Sequence, residues 1–500
     1  MNRFFTEVSP MRSSGILMPV SSLPSPYGIG TLGQAAKDFV DFAAEAGQKW
    51  WQVLPIGPTS YGDSPYQSFS SFAGNPYFID PDILVQKGLL THEECHSFDF
   101  GGNPSQVDYG KLYEHRFTLL HKACSRFDFG DWDYQGFCYR CGWWLEDYAL
   151  FMALKAAHNM VSFQQWEDGY RLRHPQALDE FRSQHSPDID FWKFVQYQFQ
   201  LQWNELRSYA NEKGIGIIGD IPIYVSPDSA DVWAGSQLFS LDENLRPIEV
   251  AGCPPDAFSA TGQLWGNPLY NWEYHKSTGY QWWVQRMRSA GEWYDMVRID
   301  HFRGFESYYA IPASEETAMN GHWVKGPGMD FIGTLKTQLP ELKIIAEDLG
   351  FLTPEVFQLL ADSGFPGMKV LQFAFDSREE SDYLPHNYKP NSVVYTGTHD
   401  NTTTADWKQS APAEDVAFAH EYLGIPEEGN LTQAFIRTAL ASVCDLAVVP
   451  MADYLELGIE GRINEPSTLG KNWVWRAKGD DFTPLLAKRI CRMTKIYGRK

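Results

Sequence analysis

The stretch Met296-Val297-Arg298-Ile299-Asp300 decides the fold that we predict for this chain. A short run of strand-forming residues leads directly into a carboxylate, and the run is apolar apart from one arginine. This composition is typical of a strand that is buried on both faces of a parallel sheet. Three other apolar runs in the chain also lead into acidic residues, at 215–220, 343–348 and 392–400.

Eight short apolar or β-branched runs of this kind occur along the 500 residues. Amphipathic segments with helical spacing separate many of them, as in proteins that alternate strands with helices. This alternation predicts an α/β fold, a (β/α)8 TIM barrel that takes up the whole chain, 1–500, as one domain. The runs lie at 15–20, 50–54, 215–218, 296–299, 343–346, 369–374, 392–395 and 446–450.

The spacing of these runs predicts one large insertion in the barrel. The second and third runs are separated by far more chain than one crossover helix needs, so we expect an inserted, mostly helical subdomain at about 80–195. Glycine and proline are frequent at 251–272, which predicts a loop without regular structure. Few residues follow the last run, so we expect no separate C-terminal β-domain.

Composition restricts the partners of this chain. Lysine and arginine number 41 against 63 aspartates and glutamates, so the formal net charge is −22. Such a surface repels nucleic acids and anionic membranes, and neither is expected as a partner. The aromatic fraction is 15%, with 18 tryptophans whose flat faces suit the apolar faces of sugars. Seven cysteines without a disulfide pattern, and no signal-like N-terminal stretch, predict a cytoplasmic protein.

The acidic residues after four of the predicted strands indicate the chemistry. Catalytic groups of such barrels lie just beyond the C-terminal ends of the strands. Asp220, Asp300, Glu347 and Asp400 occupy these positions, so we expect them to converge on one pocket. Cleavage of a glycosidic bond needs one carboxylate that attacks or activates water, and a second carboxyl that protonates the leaving oxygen. A single acid at a strand end is usually a cap or an ion pair, but four at one edge favour a catalytic site.

Several motifs extend this interpretation to a known family. The strand ends resemble the conserved regions of the α-amylase superfamily. The segments 21–30 (SSLPSPYGIG), 62–67 (GDSPYQ) and 256–270 (DAFSATGQLWGNPLY) make nearly the whole chain resemble the amylomaltases, which are the 4-α-glucanotransferases of glycoside hydrolase family 77. The resemblance implies transfer of an α-1,4-glucan segment between maltooligosaccharides, with retention, through a covalent glycosyl-enzyme. It also implies that no metal, nucleotide or other cofactor is needed.

The resemblance assigns a role to each candidate residue. Asp300 corresponds to the nucleophile, Glu347 to the general acid/base and Asp400 to a third carboxylate that holds sugar hydroxyls. Arg298 precedes Asp300 by two, so on a strand it shares the same face and favours the ionised carboxylate. The segment 251–272 corresponds to a loop over the active-site cleft. The expected substrate-binding residues are Arg298, His399, Asp220, Asp256, Trp265, Asn267, Tyr270, Tyr61, Asp63, Tyr66 and Asp376.

The chain departs from the family pattern near its C-terminus, and two other functions remain open. Ala452 stands where the family has an amide, while Glu456 and Ser467 replace glycines, so the backbone and the preferred glucan length are expected to differ there. An α-glucan hydrolase would use the same carboxylates, with water in place of a sugar acceptor. A silent glucan-binding protein would lack a catalytic carboxylate, and none is missing here.

Overall fold

The computed structural model describes residues 12–60, 62–255, 259–350 and 352–500. Within these residues twelve strands form two sheets, one parallel and one antiparallel. The strands are β1 (Ser13–Leu17), β2 (Trp50–Gln52), β3 (Gly216–Pro222), β4 (Glu249–Cys253), β5 (Gln263–Pro268), β6 (Met296–Asp300), β7 (Ser307–Pro312), β8 (His322–Lys325), β9 (Ile344–Ala346), β10 (Gly367–Val370), β11 (Ser392–Tyr395) and β12 (Leu446–Pro450).

Eight parallel strands form the barrel, which confirms the predicted fold. Their order is β10-β11-β12-β1-β2-β3-β6-β9, and every neighbouring pair is parallel. Between β9 and β10 the Ala346 N–H donates to the Pro366 carbonyl at 2.9 Å, which nearly closes the ring. Closure matters because it brings the carboxyl ends of all eight strands to one rim.

All eight predicted runs coincide with barrel strands, but not all bounds are right. The runs at 392–395 and 446–450 match their strands. The first strand ends at Leu17, short of the predicted 20, because Pro19 has no N–H to donate and a 3-10 helix follows at Val20–Ser22. The sixth strand ends at Val370, since Leu371–Phe373 turns into a 3-10 helix. A buried apolar run does not distinguish a strand from such a turn.

Eighteen α-helices accompany the strands within the described residues. No helix among the described residues combines the length and the apolar character that a membrane crossing needs. The helices are α1 (Gln34–Glu45), α2 (Pro81–Gln86), α3 (His92–His96), α4 (Tyr109–Cys124), α5 (Trp132–Ala157), α6 (Asp168–Arg171), α7 (Pro175–Gln184), α8 (Ser186–Glu212), α9 (Ala230–Ala234), α10 (Trp272–Ser277), α11 (Gln281–Trp293), α12 (Gly328–Gln338), α13 (Pro354–Ser363), α14 (Thr404–Ser410), α15 (Ala413–Leu423), α16 (Leu431–Ala441), α17 (Met451–Tyr454) and α18 (Pro484–Ile496).

The long segment between β2 and β3 carries seven of these helices, α2 to α8. Its two longest helices, α5 and α8, pack on each other, and α8 also packs on β3 and α1 of the barrel. The buried ammonium of Lys155 on α5 lies 2.6 Å from the carboxylate of Asp228, which follows β3. These contacts join the helical region to the barrel, while its treatment as a separate subdomain at about 80–195 stays a prediction.

The segment 251–272 contains regular structure that the sequence did not predict. β4 and β5 pair antiparallel, and with β7 and β8 they form the second sheet, in the order β5-β4-β7-β8. The expectation of an irregular loop is therefore wrong for most of the described part. A Cβ at Gly252 would lie 2.1 Å from the Gln263 carbonyl oxygen, so this glycine permits a close strand approach. Gly266 has a φ of 76° and lies in the part of β5 where the pairing with β4 shifts register.

The two expected departures at glycine positions both fall on left-handed backbone. Glu456 has a φ of 55° and Ser467 a φ of 65°. A side chain in this region costs about 1 kcal/mol or more relative to glycine. The Glu456 carboxylate offsets this cost, because it accepts hydrogen bonds at 2.7 Å from Asn430 and from Gln433 at the start of α16. A negative charge there also interacts favourably with the helix dipole.

We expect Glu456→Gly to be more stable than Glu456→Ala, although alanine is usually the better residue. Both variants lose the two hydrogen bonds, but only glycine relieves the left-handed strain, which is worth about 1 kcal/mol. Thermal unfolding followed by circular dichroism measures the difference. The Tm should be lowest for the alanine variant, below both the glycine variant and the parent. An alanine variant as stable as the glycine variant would show that the backbone at 456 is not strained.

Candidate active site

Strand register brings the predicted carboxylates together at the C-terminal rim of the barrel. On β3 and β6, Asp220 pairs with Arg298. On β6 and β9, Ile299 pairs with Ala346, so Asp300 and Glu347 are the next residues along the two strands. The Glu347 N–H donates to the Ile299 carbonyl at 3.0 Å, and this hydrogen bond fixes the backbone of Glu347 beside the end of β6. Two candidate catalytic acids therefore lie on neighbouring strands at the same level.

A buried arginine links two of these acids. One nitrogen of Arg298, Nη1, donates to both carboxylate oxygens of Asp220 at 2.7 Å, and the other, Nη2, lies 3.0 Å from Asp300 Oδ1. The side chains of Arg298 and Asp220 are 4% and 0% exposed, whereas that of Asp300 is 30% exposed. Asp300 therefore has one oxygen held by the guanidinium while its carboxylate faces the open rim, where an attacking group must be.

Backbone amides hold Glu347 beside Asp300. Its two carboxylate oxygens accept hydrogen bonds at 2.6 Å from the N–H groups of His301 and Leu349. His301 directly follows Asp300 and has a left-handed φ of 55°, and this turn aims its N–H across to β9. The acid/base candidate is thus positioned by the residue next to the nucleophile candidate, and its orientation does not depend on a mobile side chain.

The electrostatic surroundings give the two acids different pKa values. Burial raises the pKa of Glu347, the negative charge of Asp300 raises it further, and Arg298 and the two amides only partly oppose this. Burial also raises the pKa of Asp300, but the adjacent Arg298 guanidinium lowers it. The pKa of Glu347 is therefore the higher of the two. Between the two values Asp300 is ionised while Glu347 keeps its proton, which is the arrangement that a nucleophile and a general acid need.

Hydrogen bonds extend this cluster to Asp400. The Tyr66 hydroxyl donates to Asp220 at 2.8 Å and lies 3.3 Å from His399 Nδ1, and the two rings stack with centroids 4.9 Å apart. His399 Nε2 lies 3.3 Å from Asp400 Oδ1. The same oxygen accepts from the Asn464 side-chain amide at 2.6 Å. Asp220, Tyr66, His399 and Asp400 thus form one connected wall of the site.

The predicted residues of the 251–272 segment take different places. Trp265 contacts His301 edge to face, with centroids 4.8 Å apart, which puts it next to the catalytic pair. Asn267 and Tyr270 are buried, and their side chains donate at 2.7 Å to the carbonyls of Val225 and Ile223. These two residues anchor the segment to the chain that follows β3, and their contact with sugar stays a prediction. Direct sugar contact by Trp265 stays a prediction.

Two further candidates, Asp63 and Asp376, have other partners in the described part of the chain. Asp63 accepts a hydrogen bond from the Tyr113 hydroxyl, and burial raises its pKa to about 6. Asp376 pairs with Arg378 through two hydrogen bonds at 2.8 and 2.6 Å, and these bonds lower its pKa to about 2. Their contact with substrate stays a prediction. Tyr61 and Asp256 lie outside the described residues.

Three residues of the site were missed by sequence reasoning. His301 supplies a backbone amide, Asn464 holds Asp400, and Trp473 lies against Tyr66 and His399 with centroids 5.8 and 6.0 Å away. The position of His301, directly after the proposed nucleophile on its strand, was a usable signal. Asn464 and Trp473 come from far along the chain, and no local pattern indicates that they reach this rim.

Comparison with known proteins agrees with this geometry. The sequence model of the family described as 4-alpha-glucanotransferase matches residues 18–482. The chain belongs to this family. It is 49% identical over 485 residues to the 4-alpha-glucanotransferase of Clostridium butyricum, covering 96% of this chain and 100% of the relative. It is 46% identical over 500 residues to that of Thermus thermophilus, covering 98% and 99%.

A solved structure gives the same result. The amylomaltase of Streptococcus agalactiae, solved in complex with acarbose, superposes on this chain with a TM-score of 0.95 at 42% sequence identity, covering 98% of this chain and 99% of the other. The resemblance predicted from the motifs is confirmed. The chain is an enzyme that transfers glucan segments, and the hydrolase alternative is not favoured.

We expect Arg298→Gln to shift the pH profile and to lower kcat/KM by about 100-fold or more. Without the guanidinium, Asp300 loses the strongest interaction that lowers its pKa, so the pKa rises and the acidic limb of kcat/KM moves to higher pH. The measurement is a pH series of initial rates with maltotriose. Arg298→Lys is the matched control, since it keeps a positive charge and should shift the limb less. An acidic limb that is unchanged in the glutamine variant would contradict this role.

Proposed function

We propose that this enzyme transfers an α-1,4-glucan segment from a donor maltooligosaccharide to the 4-hydroxyl of an acceptor glucan or glucose by double displacement. Asp300 is the nucleophile, Glu347 the general acid/base, and Asp400 holds sugar hydroxyls. The observation that carries the proposal is the pairing of Asp300, in contact with Arg298 at 3.0 Å, with an amide-bound Glu347 on the next strand. Both displacement steps then occur at the same pair of carboxyl groups.

In the first step an oxygen of Asp300 attacks the anomeric carbon of the donor. The bond from that carbon to the leaving oxygen breaks, and the leaving oxygen takes the proton of Glu347. The products are a β-linked glycosyl ester on Asp300 and a released sugar with a free 4-hydroxyl. Arg298 supports this step, because it keeps Asp300 ionised and holds one oxygen while the other attacks.

In the second step Glu347 changes from acid to base. Its carboxylate takes the proton of the acceptor 4-hydroxyl, the acceptor oxygen attacks the anomeric carbon, and the Asp300 carboxylate leaves. Two inversions give net retention. Retention further predicts that the two carboxyl groups lie about 5–5.5 Å apart. The energy of the broken α-1,4 bond is kept in the ester, so no nucleotide donor is required.

The choice between a sugar acceptor and water depends on the surroundings of the ester. Trp265, on β5 of the 251–272 segment, packs on His301 beside the catalytic pair. We propose that this segment covers the cleft, binds the acceptor chain and limits the access of water. The anchoring hydrogen bonds of Asn267 and Tyr270 support the proposal, because they hold the segment at a fixed place.

The location and the substrates follow from the same reasoning. We propose that the enzyme acts in the cytoplasm on α-1,4-glucans and maltooligosaccharides. The acidic charge of −22 suits a neutral polysaccharide. The seven unpatterned cysteines are typical of a reducing compartment.

Maltotriose tests the proposed reaction. Incubated with the enzyme and no added metal or nucleotide, it should spread into glucose and longer maltooligosaccharides, because transfer only redistributes glucose units. The products are separated by chromatography, and total reducing ends are measured in parallel. Reducing ends should stay constant, whereas their increase would support hydrolysis. Asp300→Ala and Glu347→Ala are the matched controls and should abolish turnover while remaining folded. Robust activity in either purified variant would overturn the assigned roles.

A further inference from the structure

Three large aromatic side chains form an exposed line on the helix α5. Trp132, Tyr139 and Trp143 are 79%, 90% and 50% exposed. Their spacing of seven and four residues places them on one face of the helix. With a rise of 1.5 Å per residue, they are about 10 Å and about 6 Å apart along the axis. We call these three residues the aromatic ridge.

The ridge is distinct from the packed face of the same helix. Tyr134, Phe137 and Leu145 are buried and form a core cluster with Tyr197 of α8. The orientation of α5 is therefore fixed by packing, and the ridge is left on the solvent side. Exposed aromatic residues in a row are unusual on a soluble protein, and they indicate a binding surface more often than chance exposure does.

A glycine lies on the helix surface between two of the rings. Gly136 lies between Trp132 and Tyr139 on the same helical face, and a glycine inside a helix costs about 0.5–1 kcal/mol relative to alanine. A Cβ at this position would meet only the flexible end of the Arg140 side chain, at 3.1 Å. Packing against the core therefore does not require glycine here, and at this position no side chain stands between the two exposed rings.

The ridge continues toward the active site. The ring of Trp143 contacts Phe72 edge to face with centroids 4.7 Å apart, and Phe72 contacts Trp282 in the same way at 6.1 Å. Phe72 also lines the cavity that is bordered by Tyr66 and Asp220 of the catalytic cluster. These ring contacts connect the ridge with a cavity that two residues of the catalytic cluster border.

We propose that the aromatic ridge is a second, non-catalytic binding site for α-glucan chains. The C–H hydrogens on the face of a pyranose ring carry partial positive charge and are attracted to the negative face of an aromatic ring. Several rings in a row suit a polymer of such units better than a single small molecule. An α-glucan is uncharged, so the acidic surface of this protein does not repel it. A second copy of this chain, with the same charge of −22, or an anionic polymer would be repelled.

The proposal rests on the proposed function only for the identity of the polymer. Its role is to keep a long glucan close to the cleft between successive transfers, which raises the local concentration of donor and acceptor ends. It therefore concerns long glucans such as glycogen and amylose. Transfer of maltotriose depends on the catalytic carboxylates, whereas binding of glycogen to the ridge needs no turnover, so the two proposals have separate assays.

The double variant Trp132→Ala/Tyr139→Ala tests the ridge. Both side chains are almost fully exposed, so their removal should leave the Tm nearly unchanged. Native gel electrophoresis with increasing glycogen in the gel measures the dissociation constant for the polymer. The loss of two ring contacts should weaken glycogen binding by roughly tenfold. Phe357→Ala is the matched control, since Phe357 is an exposed aromatic residue on α13, and it should bind glycogen like the parent.

Each outcome decides the proposal. Weaker glycogen binding in the double variant but not in Phe357→Ala supports it. Equal binding in the parent and the double variant overturns it. Sedimentation tests the alternative that the ridge joins two copies of the chain. If the parent self-associates, and the double variant loses self-association but keeps its glycogen binding, the ridge is a contact between copies and the glucan proposal is wrong. Absence of maltotriose transfer by the parent would instead contradict the proposed function, since the glycogen measurement needs no turnover.

Discussion

The site depends on one buried cation that serves two carboxylates. Arg298 binds Asp220 through both of its oxygens and holds Asp300 through one. A buried guanidinium without partners would be costly, and so would the buried Asp220 carboxylate without a cation, so these residues stabilise one another. The remaining contacts follow from this group. Tyr66 donates to Asp220, and His399 and Asp400 are reached through Tyr66.

The ionised Asp300 in turn sets the state of its neighbour. Its negative charge adds to burial in raising the pKa of Glu347, so the acid can keep its proton until the leaving oxygen needs it. Two backbone N–H groups hold Glu347 without neutralising it. When Asp300 forms the ester its charge is lost, and the pKa of Glu347 falls. Glu347 can therefore act as the acid in the first step and as the base in the second.

Local patterns in the sequence were sufficient for the barrel and for its acidic rim. Strands buried on both faces are continuous apolar runs, and Asp300 and Glu347 directly follow two of them, so counting along the chain located both. The second sheet was missed, because Gly252 in β4 serves a close approach to Gln263 that depends on distant pairing. Asn464 was missed for a similar reason, since only the closed barrel brings it to Asp400. The Tyr270 hydroxyl donates to the Ile223 carbonyl, a partner that no local pattern shows, while its contact with sugar stays a prediction.

We expect Asp300 to form a covalent bond to the sugar, and intact-protein mass spectrometry detects such a bond. In Glu347→Gln, with α-maltosyl fluoride as donor, the first step needs no acid because fluoride leaves readily, but the second step lacks its base. We predict that Glu347→Gln becomes heavier by one maltosyl group, with the added mass on the peptide that contains Asp300. The double variant Glu347→Gln/Asp300→Asn should show no such species. An adduct on another residue, or turnover of the donor without any adduct in Glu347→Gln, would contradict it.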